Sequence, residues 1–495
     1  MKSIEKLIQS TFAKQNIPNI NTDNRLYIRL YKAIQQFIDD SEIPKGSFLP
    51  ATRLLAAQLK VSRSTVLKAY ELLVLESYIE SKQGSGYLVV KQKEQKFQKT
   101  KQFDTTKYPS LSDLGKSFLD NINLINTIDD KAVAFRPGVP PLDIFPVNQW
   151  KNLSNLHWRH IKSSSLTYSA ASGNLQLKKN IANYLTLTRG IKCQSEQVII
   201  VSGSLQSLYV ISSVVINPND KVIIENPTFP NVYSIFKSLR ASIEGVAVDK
   251  EGIIVSQITS DSVKLIHTTP SGHYPTSVRL SMRRRKELLK YAENNSAYLI
   301  ENDFEHEVSN YKESMPSLFN MDKEGRTIFM GTFNRLLHPS LRIGYMVLPY
   351  PLIKPVEALL THSHRFVAPS IQIVLNQFIE KKHLYDHIKN VIKAAEERKK
   401  IFIELFEEYF SDSMTLVNKT ENSLHLLAIF KKGAKRKRLI DEFAKKNILV
   451  HSYSKCFVGK EMIEGLIIGY SSVNEIKMKL KLKQMASIYR DIKEY

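Results

Sequence analysis

Two stretches of the 495-residue chain carry groups suited to holding an anion. In Ser202-Gly203-Ser204-Leu205 a Gly-Ser turn opens a helical pattern straight after the apolar run QVIIVS. A helix N-terminus presents free N–H groups and the positive end of its dipole, and so binds phosphate. In GTFNRLLHPSLRIGY (331–345), Thr332 adds a hydroxyl and Arg335 and Arg342 add guanidinium groups. Two arginines on one loop repel each other in a partly dry pocket, and an anion between them relieves the repulsion. The expected chemistry is therefore non-covalent binding of a phosphate or carboxylate. Two alternatives stand beside it: an ion pair of Arg335 or Arg342 with Asp303 or Glu301, and an inert scaffold.

A rigid frame must hold these groups. Residues 116–495 alternate strand and helix signals: QVIIVS, KVIIE, VKLIH, AYLIE, TIFMG and RIGYMVLP read as strands, with helical stretches such as RRRKELLKYAEN between them. That alternation predicts an α/β domain with a mostly parallel sheet. Residues 390–495 read as a smaller α+β subdomain.

Residues 25–90 read differently. Leu26, Tyr27, Leu30, Tyr31, Ile34, Phe37 and Ile38 make one helical stripe. PKGSFLP interrupts it, ATRLLAAQL is a second helix, and Ser62 is a fitting N-cap for a third. In that third helix Val66, Ala69, Tyr70 and Leu73 should face the core. YIES and YLVV flank KQGSG and read as a β-hairpin. Three helices and a hairpin make a winged helix-turn-helix, whose third helix can enter a major groove. Arg63 suits a base or phosphate contact, while Ser62, Thr65 and Lys68 suit phosphate positioning. A small helical interaction module is the alternative. Residues 1–24 read as a helical extension and 91–115, polar and lysine-rich, as a flexible linker.

The segment FLPATRLLAAQLKVSRSTVLKAYELLVLESYIESKQGSGYLV resembles the GntR family of bacterial regulators. It carries close counterparts of that family's Leu-Pro-Ser-x-Arg-x-Leu-Ala helix, Val-Ser-Arg-x-Thr-Val turn and Gly-x-Gly wing. The resemblance implies contacts to double-stranded operator DNA from Thr52, Arg53, Arg63 and Thr65, and from the wing at Gly84, Ser85 and Gly86. Further on, RPGVPPLDIFPVNQW, LTYSAASGNLQL, VSGSLQSL, IIENPTFPNVY, TTPSGHYPT, LIENDFEHEV and GTFNRLLHPSLRIGY follow in the order of the MocR branch of that family. There a fold-type I aminotransferase-like domain follows the winged helix.

This second resemblance implies roles toward pyridoxal 5′-phosphate (PLP). Ser202, Gly203, Ser204 and Leu205 match the turn that cradles its phosphate, Thr332 and Arg342 match the other phosphate-side groups, and Phe229 matches the ring that stacks on the pyridine. The reacting side departs from the pattern. Arg335 stands where the family has its Schiff-base lysine, Asn302 where an aspartate pairs with the pyridine nitrogen, and Phe304 where a tyrosine bonds the ring oxygen. Arg490, the only arginine after Arg438, lies too late to be the usual carboxylate-binding arginine. A Schiff base needs a primary amine that can lose its proton, which guanidinium cannot supply. The expectation is a degenerate site with no covalent cofactor and no catalytic residue, open to non-covalent PLP or another small anionic effector. The resemblance also implies a head-to-tail homodimer.

Bulk properties agree with these readings without deciding them. Net charge is +22, but residues 1–92 hold only +5 of it, so the surplus alone does not mark a nucleic-acid site. The runs RRRK (283–286) and KKGAKRKRL read as solvated surface rather than nucleic-acid contacts. Two cysteines, Cys193 and Cys456, give no disulfide framework and fit reduced thiols in a cytoplasmic protein. His267, His273 and His306 lack metal-ligand spacing, so no metal is expected. No run approaches the roughly 20 apolar residues of a membrane helix.

Overall fold

The apolar stripe of residues 26–38 closes on itself in the first unit of the computed structural model, which describes residues 4, 8, 26–82, 86–90, 108–124, 134–309, 315–431, 436–459 and 463–493. Helix α1 (Leu26–Asp39) buries Leu30, Tyr31, Ile34, Phe37 and Ile38. Leu26, at the first turn, stays 46% exposed. Helix α2 (Thr52–Leu59) stops at Lys60, which takes a left-handed conformation and turns the chain. Helix α3 (Arg63–Leu75) is capped by Ser62, whose Oγ accepts the Thr65 N–H at 3.2 Å. It buries Val66, Ala69, Tyr70 and Leu73 as their spacing predicts. The Tyr70 hydroxyl donates to the Pro50 carbonyl at 2.9 Å and so ties α3 to the start of α2.

The wing is β2 (Ile79–Lys82) against β3 (Gly86–Val89), antiparallel. A two-residue strand, β1 (Phe48–Leu49), adds to the other edge of β3. It was not legible, because turn residues surround it in PKGSFLP. Ile4 and Ile8 are helical and join the winged-helix core. The rest of the expected 1–24 extension, residues 91–107 of the expected linker, and the wing tip with Gly84 and Ser85 lie outside the described residues.

The second unit begins at Leu111, and this corrects the linker boundary at 115. Ser112 caps a helix, α4 (Asp113–Asp120), by accepting the Gly115 N–H. Only two turns long, α4 shows no sustained apolar period in sequence.

Continuous apolar runs then build an eight-stranded sheet in the order β4 (Val198–Val201), β11 (Gly344–Val347), β10 (Thr327–Thr332), β9 (Tyr298–Asn302), β8 (Val263–Thr268), β5 (Lys221–Asn226), β6 (Ser242–Asp249) and β7 (Gly252–Ile253). From β10 across to β6 the neighbours are parallel, whereas β11 runs antiparallel to both β10 and β4. Helices cover the sheet, so its central strands are apolar on both faces. The partly exposed β6 was missed in the sequence for want of such a run.

Four short strands, β12 (Met414–Val417), β13 (Leu426–Phe430), β15 (Gly465–Ile468) and β14 (His451–Ser452), form a second sheet in that order. The boundary at 390 needs correction. One helix, His383–Phe410, runs straight through it. Its Leu384 packs in the large core, while Phe402, Phe406 and Phe410 pack in the small one. The small core also takes in Ala134 and Phe135, held by a bridge from Ala134 to Ile448.

Candidate functional site

The C-terminal ends of β4, β8, β9 and β10 converge, the usual place for a ligand on a sheet of this kind. After β4, Gly203 adopts φ 118° and starts helix α5 (Ser204–Val215). That φ favours glycine, and a Cβ there would stand 2.9 Å from Asn334 Nδ2. The Ser207 N–H makes the first helical bond, to Gly203 O. The amides of Ser204, Leu205 and Gln206 therefore lack helical acceptors. Ser202 donates both its N–H and its Oγ–H to Gln206 Oε1, at 2.6 and 2.7 Å.

Thr332 Oγ1 bonds within its own loop. It accepts the Asn334 N–H at 3.2 Å and reaches the Ile343 carbonyl at 3.4 Å, while Asn334 Oδ1 accepts the Ile343 N–H. Asn334 thus braces the loop, a role that its sequence position did not announce.

Arg342 is exposed, in a left-handed conformation. It lines a cleft of about 330 Å³ with Ser202, Gln206, His364 and Arg365. Arg335 goes elsewhere. Its Cζ lies 5.1 Å from the centre of the Phe304 ring, and its guanidinium lies against Gly138. A Cβ at Gly138 would fall 1.2 Å from Arg335 Nη1. The two arginines thus meet different neighbours among these contacts. The turn Pro339–Leu341 separates them.

The ion-pair alternative fails. Glu301 and Asp303 are committed to other arginines. Asp303 pairs with Arg189 at 2.7 Å, and Glu301 lies 3.7 Å from Arg189 and 3.8 Å from Arg285. Arg285, fully buried, donates to the carbonyls of Leu280, Pro270 and Pro316. It therefore leaves the expected solvated RRRK face, as does Arg284, buried and paired with Asp249, whereas Arg283 stays exposed and pairs with Glu251 and Glu287.

Asn302 Nδ2 lies 3.2 Å from His267 Nε2, and Asn302 Oδ1 is buried without a hydrogen bond. Phe229 meets Tyr274 edge-on at 5.1 Å, and Phe304 packs with Tyr274, Tyr453 and Ile467. Burial holds the His267 imidazole neutral down to about pH 4. Burial, then the nearby Arg335 charge, push His425 and His451 down to about 3. Burial pushes the Glu305 carboxyl up, with Arg335 opposing. Gly138, Tyr274, His425, His451 and Glu305 were not singled out in sequence, since their elements are far apart along the chain.

These residues fit part of PLP. The turn at Gly203 offers amides to a phosphate, and the orphaned Asn302 Oδ1 faces no protein donor. The covalent half does not fit, because position 335 supplies no primary amine.

On the first unit, Arg53, Arg63 and Lys68 are exposed and Thr52 and Thr65 half-buried. The Ser62 hydroxyl is engaged with Ser64 and Thr65. Lys68 Nζ sits 5.7 Å over the Tyr27 ring, which fixes its direction. Gly86 opens β3 at φ 99°. Ser64, exposed in the same turn as Arg63, is a further candidate that the sequence reading passed over.

Fold and site together define a class: a winged helix-turn-helix joined to a fold-type I aminotransferase-like domain. The chain belongs to the aminotransferase class I and II family, which matches residues 138–455, and carries a match to the bacterial regulatory proteins of the gntR family at 26–89. It has the architecture of a GntR/MocR-type transcription regulator. It is 28% identical over 469 residues to the probable rhizopine catabolism regulatory protein MocR of Rhizobium meliloti, covering 95% of this chain and 94% of that protein. It is 24% identical over 458 residues to the pyridoxine biosynthesis transcriptional regulator PdxR of Corynebacterium glutamicum, covering 92% and 94%. The fold of an archaeal alanine:glyoxylate aminotransferase superposes with a TM-score of 0.68 at 22% identity, over 79% of this chain and all of that one. No helix among the described residues is long and apolar enough to cross a membrane.

Proposed function

We propose that the chain is a cytoplasmic, operator-binding regulator whose aminotransferase-like domain dimerises and senses a ligand without transamination. The observation that carries this reading is Arg335, a permanently charged group at the loop position where an amine would be needed. Asn302 and Phe304 support it, since neither supplies the charge or hydroxyl that covalent PLP chemistry uses. Trp158, Leu166 and Tyr168 are 56, 65 and 77% exposed, an apolar surface that suits a dimer interface. In a head-to-tail homodimer, two winged helices on linkers gain avidity only where half-site spacing matches their reach.

Two experiments test the reading. Purified protein mixed with PLP, reduced with borohydride and mapped by mass spectrometry should carry no adduct in the 331–345 loop. A stoichiometric adduct on one lysine, with an imine absorbance band, would restore the PLP-dependent enzyme or PLP-responsive regulator. Second, Arg63→Ala should weaken operator binding by roughly 1–3 kcal/mol, tenfold or more, while the dimer persists. An unchanged gel shift would take Arg63 away from the DNA.

A further inference from the structure

We propose that the space beside Arg335, Phe304 and Gly138 is a receptor for the carboxylate of a small organic acid with an apolar body. The proposal rests on the reading that no imine forms at position 335, and it names the class of ligand that replaces one.

The guanidinium is held in place. One side is near the Phe304 ring, with Cζ 5.1 Å from its centre, and Gly138 lies against the group. Phenylalanine presents that ring with no hydroxyl to be satisfied. Glycine at 138 is what leaves room, since a Cβ there would be 1.2 Å from Nη1 and 2.1 Å from Cζ. A planar cation pinned in this way loses little freedom when it binds, and its donors form the fork that matches a carboxylate.

One of those donors has nothing to bind. Arg335 Nη1 is buried without a hydrogen-bond partner, and among the described residues Arg335 makes no salt bridge. A buried charged donor in this state is costly, and a ligand oxygen would remove the penalty.

The surroundings set the charge of the ligand. Glu305 is the carboxyl that feels Arg335, but it already accepts the Leu424 N–H and the Ser423 hydroxyl, both at 3.1 Å, and burial favours its neutral form. His425 and His451 are held neutral, and Tyr274 donates toward His451 Nδ1 or accepts from it at 3.2 Å. Asn302 brings no charge. Arg335 thus brings a fixed positive charge beside those of Arg136 and Lys455, which also act on His451, and a carboxylate offsets it. A phosphate is better matched by the amide-rich turn at Gly203.

The surroundings also set the body of the ligand. Tyr274, Phe304, Tyr453 and Ile467 pack as one apolar cluster. Ile467 extends that cluster on the small-subdomain side. An acid with an aromatic or branched aliphatic body fits; a polyol acid does not.

The test uses the full chain and titration calorimetry with phenylacetate, 4-methylpentanoate, phenylacetamide, inorganic phosphate and PLP. We expect saturable binding of at least one of the two acids and none of the uncharged amide. Arg335→Gln should weaken acid binding at least tenfold. Gly138→Ala keeps the charge but displaces the guanidinium, and should weaken it comparably. Each variant's unliganded melting temperature and its DNA binding report whether it folds. If neither acid binds, or if Arg335→Gln binds them as wild type does, the proposal is overturned. Binding of phosphate or unreduced PLP alone also overturns it while leaving the non-covalent reading of the site intact. A borohydride-fixed adduct at a lysine overturns that reading itself.

Discussion

Replacing Arg189 with methionine should lower the unfolding free energy of the α/β unit by about 3–5 kcal/mol, the usual consequence of removing one partner of a buried ion pair. Arg189 and Asp303 are both buried and 2.7 Å apart. Burial works against the Asp303 charge, yet Arg189 and then His306 hold its carboxyl below the usual range. Arg189 also donates to the Met315 carbonyl and lies 3.2 Å from the Ser271 hydroxyl, so the variant orphans further groups. Asp303 alone would take up a proton to avoid an uncompensated charge. Its pKa in the fold would then lie above its unfolded value. The contribution of Asp303 to the variant's stability should therefore be greatest at low pH and fall as pH rises through that raised value. The double variant Arg189→Met/Asp303→Leu should recover much of the loss. Equal denaturant midpoints for wild type and Arg189→Met would show that the pair contributes nothing.

Acid should weaken the same unit, and three imidazoles should account for much of the effect. His267 titrates in the fold at about 4, and His425 and His451 at about 3. In the unfolded chain each binds its proton near pH 6.5. Their contribution is complete above that value and is lost as pH falls toward the folded values, because only the unfolded state gains protons in that window. At pH 5 the loss is about 2 kcal/mol for each histidine. Glu301, Glu305 and Glu307, pushed up by burial, act in the opposite sense, their share being lost as pH rises. A differential measurement separates the two sets. Between pH 7 and 5, His425→Gln should lose about 2 kcal/mol less stability than wild type. Parallel pH profiles by urea unfolding would remove His425 from this role.

Local periodicity made the winged helix legible almost residue by residue. Val66, Ala69, Tyr70 and Leu73 face the core because their i, i+3, i+4, i+7 spacing allows one helical face only. The central strands were legible because burial on both faces makes them continuous apolar runs, whereas β6, partly exposed, left no such run. The site was half legible. The turn at Gly203 has a local cause, a glycine at a strand-to-helix junction. The place of Arg335 has a non-local one: Gly138 and Phe304, 197 and 31 positions away, decide where its guanidinium rests. Likewise, three consecutive arginines gave no sign that Arg285 would be fully buried on three carbonyls, since its partners come from two other loops.

The helix His383–Phe410 has a mechanical consequence. Its 28 residues span about 42 Å at roughly 1.5 Å each, in one uninterrupted rod. Leu384 anchors one end in the large core, and Phe402, Phe406 and Phe410 anchor the other in the small one. The rod therefore acts as a lever: a tilt of about 5° at its root carries the far end by roughly 4 Å. Arg335 and Phe304 ride on the root side, and His425, His451 and Ile467 on the tip side. A tilt of the rod would therefore shift the second group of residues relative to the first, and by more the farther each lies from the root.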